Sequence, residues 1–174
     1  DKAGGRAGIV LNGSPLFTGG AGSGESNIRK WIIENDLLEG IIGLPKDMFY
    51  NTGIRTFIWI FNNRKNDNRK KKIRLLDASG PEFWKAMRKS MGDKRKQIDE
   101  KKVDEIVKLF YSEKSSKFFK DFNDRDFGYT TVVVERPLKD KEGNIILYEK
   151  GKNKDLPQPN TDLRDTENVP LNED

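Results

Sequence analysis

Over the first 80 residues, short apolar runs are separated by loops, and their period changes from block to block. Gly8 to Leu11 (GIVL) is a continuous apolar run and reads as a buried strand. It leads into NGSPLFTGGAGSGES, whose Gly and Ser content predicts a loop. From Ser26, read as an N-cap, the pattern turns helical: Ile28, Trp31 and Ile32 share one face, with Leu38 nearby. Gly40 to Leu44 (GIIGL) reads as a second strand. Ile54 to Phe61 (IRTFIWIF) sets Ile54, Thr56, Ile58 and Ile60 against Arg55, Phe57, Trp59 and Phe61, which predicts a central strand covered on both faces.

The order strand, helix, strand predicts a parallel pair for the first two strands, joined by a right-handed crossover. Only Pro45 to Gly53 separates the second strand from the third. A parallel crossover needs about a dozen residues or more, so the third strand is expected antiparallel to the second. The fold class is therefore α/β with a mixed sheet.

After the polar run RKNDNRKKK, IRLLDAS reads as an added strand. Pro81 suits the first turn of a helix, and Phe83, Trp84, Met87 and Met91 would give that helix an apolar face. Residues 103–111 predict a second helix facing inward through Val103, Ile106, Val107 and Phe110. Tyr129 to Val134 (YTTVVV) reads as a strand ended by Pro137. From Lys139 onward the chain is polar, with a hairpin expected around Glu142 to Asn144 that pairs NIILYE with its neighbour. There is no internal repeat.

Composition narrows the chemistry. The 174 residues contain no Cys and no His, which removes thiol nucleophiles, imidazole bases and most transition-metal sites. No apolar run approaches the roughly 18 residues of a spanning helix, so no membrane partner is expected, and a cytoplasmic location is compatible with this. The net charge of +5 conceals a division. Residues 1–63 are neutral; residues 64–120 hold 19 cations against 9 carboxylates (net +10); residues 121–174 hold 8 against 13 (net −5). The basic middle either tracks a phosphate backbone or coats amphipathic elements. A third reading has the basic helices dock another protein chain, which charge reversal at Lys94, Arg95 and Lys96 would test.

Three constellations merit weighing. GGAGSGES (Gly19 to Ser26) lies between a strand and a helix, but Glu25 stands where a P-loop needs Lys, so a flexible loop is the better reading. Asp77 is explained as a cap for the turn into Pro81. Phe49 and Tyr50 stand adjacent in the short loop before the third strand; either they pack at its entrance or they form a stacking surface for a planar ligand.

GGRAGIVL, IRKWIIENDLLEGIIGLP and MFYNTGIRTFIWIFN, followed by IRLLDAS, together resemble the second half of the catalytic domain of type I restriction-modification methyltransferase subunits, the adenine-specific DNA methylases. FGYTTVVVERPL and DTENVPL resemble the downstream extension of one branch of that family. The resemblance implies part of a Rossmann-like S-adenosylmethionine-dependent methyltransferase sheet, the three strands being its fifth, sixth and seventh, with the last inserted antiparallel. It divides the chain into residues 1–79 (half of the catalytic domain), 80–137 (a basic helical extension ending in a strand) and 138–174 (a polar, extended or partly disordered segment). Such enzymes extrude the target adenine, and an aromatic at the start of the last hairpin contributes to its pocket. Phe49 matches that position, with Tyr50 the alternative, while Lys46, Asn51, Thr52 and Arg55 are the implied DNA contacts; Lys46 and Arg55 read equally well as solvated edge charges.

The family's cofactor-binding Gly-rich motif and its Asn-Pro-Pro-Phe/Tyr motif are absent from these residues. The chain is accordingly expected to be a segment of a longer enzyme, with no catalytic, cofactor-binding or metal residue of its own and no activity alone. S-adenosylmethionine would serve the full-length enzyme, with DNA, a specificity subunit and a restriction subunit as partners. The competing reading is a non-catalytic nucleic-acid-binding or subunit-docking module.

Overall fold

The computed structural model describes residues 4–171, and the chain divides into two units, 1–126 and 127–174. The first is built on a five-stranded mixed sheet. Its strands are β1 (Arg6–Asn12), β2 (Leu38–Gly43), β3 (Thr56–Asn62), β4 (Lys72–Asp77) and, after a hairpin and a helix, β7 (Phe119–Asn123). Their order across the sheet is β1-β3-β2-β4-β7.

β2 and β3 pair antiparallel, as expected from the sequence. The parallel pair expected from the first two strands is not formed: β1 runs in the direction of β2, but β3 lies between them, in antiparallel register with β1 from Arg6↔Asn62 to Asn12↔Thr56. β4 takes the free side of β2 in parallel register, Gly40↔Arg74 to Gly43↔Asp77. The connection between β1 and β2 holds a one-turn helix α1 (Ser14–Phe17) and α2 (Gly24–Glu34). Ser23, not Ser26, is the N-cap of α2, its hydroxyl accepting from the Ser26 amide at 3.2 Å. The predicted apolar face of this helix is largely open, with Ile28 62% and Trp31 59% exposed.

The core forms between the sheet and a later helix. Ile42, Leu44, Leu76, Ala78 and Phe83 pack with Ile106 and Phe110 from α3 (Glu100–Tyr111). Asp99 caps this helix by accepting from the Lys102 amide at 3.0 Å. Ile106 and Phe110 are buried as predicted, whereas Val103 and Val107 are exposed. Gly40 makes this packing possible: a Cβ there would lie 2.5 Å from the Arg74 carbonyl oxygen and 2.7 Å from the Phe110 ring.

The buried guanidinium of Arg74 ties the far side together. It faces its cross-strand partner Asp121 on β7 with bonds of 2.8 and 2.6 Å, and Nη1 reaches the Leu109, Phe110 and Ser112 carbonyl oxygens at 2.7–3.1 Å. The cation thus meets carbonyls at the C-terminus of α3, of which Leu109 also accepts from the Ser112 amide at 3.2 Å.

The helix predicted after Pro81 is replaced by a hairpin, β5 (Lys85–Met91) and β6 (Lys94–Gln97). Met91 pairs with Lys94 across Gly92-Asp93, and Gly92 has φ +62°, a conformation a helix does not use. The apolar positions that suggested a helix separate in space: Phe83 is in the core, Trp84 and Met87 are half-buried, and Met91 is exposed.

In the second unit, β8 (Tyr129–Val134) pairs antiparallel with β9 (Asp165–Pro170). The two sequence blocks FGYTTVVVERPL and DTENVPL therefore meet as neighbouring strands. The hairpin expected around Glu142 to Asn144 is present as a tight turn, closed by Asp140 accepting from the Glu142 and Asn144 amides at 2.9 Å. Its flanks join through the bridge Lys139↔Ile145, with Asp140 N and Ile146 N donating to the Asn144 and Leu138 carbonyls at 3.0 and 2.9 Å.

Candidate nucleic-acid interface

β1, β2 and β4 end on one edge of the sheet, at Asn12, Gly43 and Asp77, and β3 starts there at Thr56. In open α/β sheets, ligands bind beyond the carboxyl ends of parallel strands. The loop 44–55 crosses this edge. Leu44 and Pro45 anchor its entrance by burial, and the Leu44 amide donates to the Thr56 carbonyl at 2.9 Å. Thr56 Oγ1 is buried and has no hydrogen-bond partner.

Between these anchors the loop projects a tight turn. Phe49 bridges Thr52, leaving Tyr50 and Asn51 at the tip, and Thr52 Oγ1 accepts from the Ile54 amide at 3.3 Å. Phe49 is 38% and Tyr50 51% exposed. Lys46, Asn51 and Arg55 are exposed, whereas Thr52 is half-buried and already bonded within the turn. The Arg55 charge acts on Asp77, whose carboxyl is held below the ordinary value first by hydrogen bonding from Ser79 and, to a smaller extent, by Arg55. The Asp77 carboxylate accepts from the Ser79 amide at 2.9 Å, which is the capping role expected of it.

What sequence reasoning missed is the support beneath the aromatic turn. The hairpin β5–β6 is bonded to it: Asp93 N donates to the Tyr50 carbonyl at 2.9 Å, and Arg95 N and Lys96 N both donate to the Asp47 carbonyl, at 2.9 and 3.1 Å. Gly92 passes so near that a Cβ would lie 2.7 Å from the Tyr50 oxygen. Lys94 Nζ stands 4.9 Å from the Tyr50 ring centroid, and Lys96 Nζ stands 4.0 Å from that of Trp84. The Trp84 indole in turn donates to the Ser79 carbonyl at 3.1 Å, beside Asp77. The signal for this arrangement was the tetrapeptide Met91-Gly-Asp-Lys94, a two-residue turn between cation-rich flanks.

The Gly-rich segment does not form a phosphate cradle. Arg29 donates to the Pro15, Thr18 and Gly19 carbonyls at 2.6–3.2 Å, and the Ser23 hydroxyl is spent on its helix. Among the described residues no carboxylate cluster could hold a metal ion, and no helix is long and apolar enough to cross a membrane.

Residues 1–155 match the family described as N-6 DNA methylase. The chain is 34% identical over 144 residues to the type I restriction enzyme MjaVIII methylase subunit of Methanocaldococcus jannaschii, covering 82% of this chain and 22% of that protein. It is 30% identical over 148 residues to the MjaVII methylase subunit of the same organism, covering 79% and 24%. Among solved structures it is similar to the type I restriction-modification system methyltransferase subunit from Streptococcus thermophilus, with 27% identity, a TM-score of 0.57 and coverage of 70% and 24%. The chain thus spans less than a quarter of the length of each relative. With the family match extending over most of its length, this chain belongs to the N-6 DNA methylases.

Proposed function

We propose that the chain is part of the modification subunit of a type I restriction-modification system, in which it borders the pocket for the target adenine. The complete enzyme transfers a methyl group from S-adenosylmethionine to the adenine amino group in DNA, acts in the cytoplasm, and assembles with a specificity subunit and a restriction subunit. Residues 1–79 supply the second half of a Rossmann-like methyltransferase sheet, 80–137 a basic extension, and 138–174 a polar annex. The strand order supports this reading, because β3 is inserted antiparallel between β1 and β2 as the last strand of such a sheet would be.

The observation that carries the proposal is the exposed Phe49-Tyr50 turn at the carboxyl edge of the sheet. Phe49 stacks on the extruded base, recovering part of the unstacking energy, with Tyr50 beside it; Lys46, Asn51, Thr52 and Arg55 contact the flanking DNA. The Gly-rich cofactor motif and the amino-group anchor lie outside these residues, and the loop at Gly19 to Ser26 is closed upon itself, so no step of methyl transfer is assigned to this chain alone.

Phe49→Ala in the full-length enzyme should weaken binding or methylation of the target base by roughly 1–3 kcal/mol and leave cofactor affinity intact. Unchanged methylation would return Phe49 to a packing role. Methylation of adenine by the isolated 174 residues would overturn the assignment of the chemistry elsewhere.

A further inference from the structure

The hairpin β5–β6 carries six cations between Lys85 and Gln97, namely Lys85, Arg88, Lys89, Lys94, Arg95 and Lys96, against Asp93 alone. These cations have different surroundings. Lys85 pairs with Asp99, and Lys94 and Lys96 lie over the rings of Tyr50 and Trp84. Arg88, Lys89 and Arg95 are exposed and make no ion pair among the described residues. A two-stranded hairpin alone is marginally stable in water, and crowding like charges on it weakens it further. Here it is held in place by three backbone bonds to Asp47 and Tyr50 and by the close approach of Gly92. The fold therefore fixes a concentrated positive charge beside an aromatic turn. Cations tracking a backbone beside rings that stack on bases are the combination by which single-stranded or extruded nucleotides are held.

We propose that the hairpin β5–β6 is a phosphate clamp, in which Arg88, Lys89 and Arg95 contact the DNA backbone next to the nucleotide engaged by loop 44–55. The proposal rests on the reading of that loop as the rim of the base pocket. Phe49 then holds the base, and the hairpin holds the strand from which it is extruded. Because phosphate contacts carry no sequence information, the clamp suits an enzyme whose sequence is read elsewhere.

The test is salt-dependent binding of the full-length enzyme to a short DNA duplex carrying 2-aminopurine at one position, followed by anisotropy between about 50 and 200 mM salt. The triple variant R88Q/K89Q/R95Q should lower the slope of log K against log salt by about 0.9 per lost phosphate contact, and by about 2.7 if all three are lost. Ser90→Lys, at an exposed position of β5, should raise the slope, a gain that misfolding does not produce. Slopes unchanged in both variants overturn the proposal. So does a triple variant that binds duplex like the parent while losing association with a specificity subunit, because the cations would then serve a protein. Phe49→Ala separates the two readings: it should reduce the 2-aminopurine signal and leave the salt slope unchanged. If that signal is indifferent to Phe49 while the triple variant lowers the slope, the base-pocket reading fails and the clamp stands. The reverse result overturns the clamp alone.

Discussion

Among the cations set against aromatic rings, Arg74 and the pair Lys94 and Lys96 differ in what else the cation touches. Arg74 lies 3.7 Å from the Phe119 ring centroid, is 3% exposed, and spends its remaining donors on Asp121 and three carbonyls. Lys94 and Lys96 lie over Tyr50 and Trp84 at a half-buried surface, and neither makes an ion pair among the described residues. The first site is saturated and can serve only the fold. The second leaves its ammonium groups without a carboxylate partner among the described residues, on the same hairpin as the exposed Arg88, Lys89 and Arg95.

The largest test of that contrast is Arg74→Met. Of its cationic partners Asp121 would retain Arg69 at 2.9 Å, and the Phe110 and Ser112 carbonyls would lose the Arg74 donor. Breaking a buried pair of this kind costs about 3–5 kcal/mol. Urea denaturation should show that loss. A loss near zero would mean that the cation is replaceable by packing, and the contrast with Lys94 would collapse.

Gly40→Ala should come next, at about 1–3 kcal/mol, because its methyl would press on both the Phe110 ring and the Arg74 carbonyl. It perturbs the same side of the sheet without touching loop 44–55, so stability should fall while the salt slope of DNA binding stays constant. A Gly40→Ala protein as stable as its parent would show that the Phe110 contact can relax.

Acid should act on the saturated site as well. Burial pushes the Asp121 carboxyl up, but hydrogen bonds from Arg74 and Arg69 outweigh it and hold the carboxyl below its ordinary value. A depressed folded value means that this contribution is fully present above the unfolded value of about 3.9 and fades as pH falls through the folded value. Denaturation midpoints measured below about pH 4 should therefore fall less steeply in Asp121→Asn than in the parent.

These same regions explain how much was legible beforehand. β2, β3 and β4 announced themselves as apolar runs, and the short gap from Pro45 to Gly53 between the second and third predicted strands pointed to antiparallel pairing. The partner of β1 was misjudged because consecutive strands joined by a helix need not be neighbours, and the chain between them says nothing about a later strand sliding in. β7, FKDFN, has only two aromatics and is specified by the distant pairing of Arg74 with Asp121. The hairpin reads as a helix in sequence because Phe83, Trp84, Met87 and Met91 fit a helical period, yet Phe83 is in the core while Met91 is exposed. Gly92 at positive φ and the bonds to Asp47 and Tyr50 decided the matter, and only the glycine was visible locally. In the candidate site, Phe49 and Tyr50 could be picked out as aromatics in a short loop. Their connection to Lys94, Lys96 and Trp84 depends on a contact between segments some 40 residues apart.

The smallest expected effect belongs to the exposed pair itself. Lys94→Gln removes the charge over Tyr50 while keeping a polar chain of similar reach, and a cation–π contact at such a surface is worth about 0.5–1 kcal/mol. Lys94→Arg keeps the charge and should restore that stability. The backbone bond from Asp93 to Tyr50 survives both changes, so the hairpin should stay attached to the loop. Equal losses in the Gln and Arg variants would show that aliphatic packing holds Lys94 on the ring. A loss confined to the Gln variant, with DNA binding still salt-dependent in both, would place Lys94 with the support of the turn and leave the outward cations to the ligand.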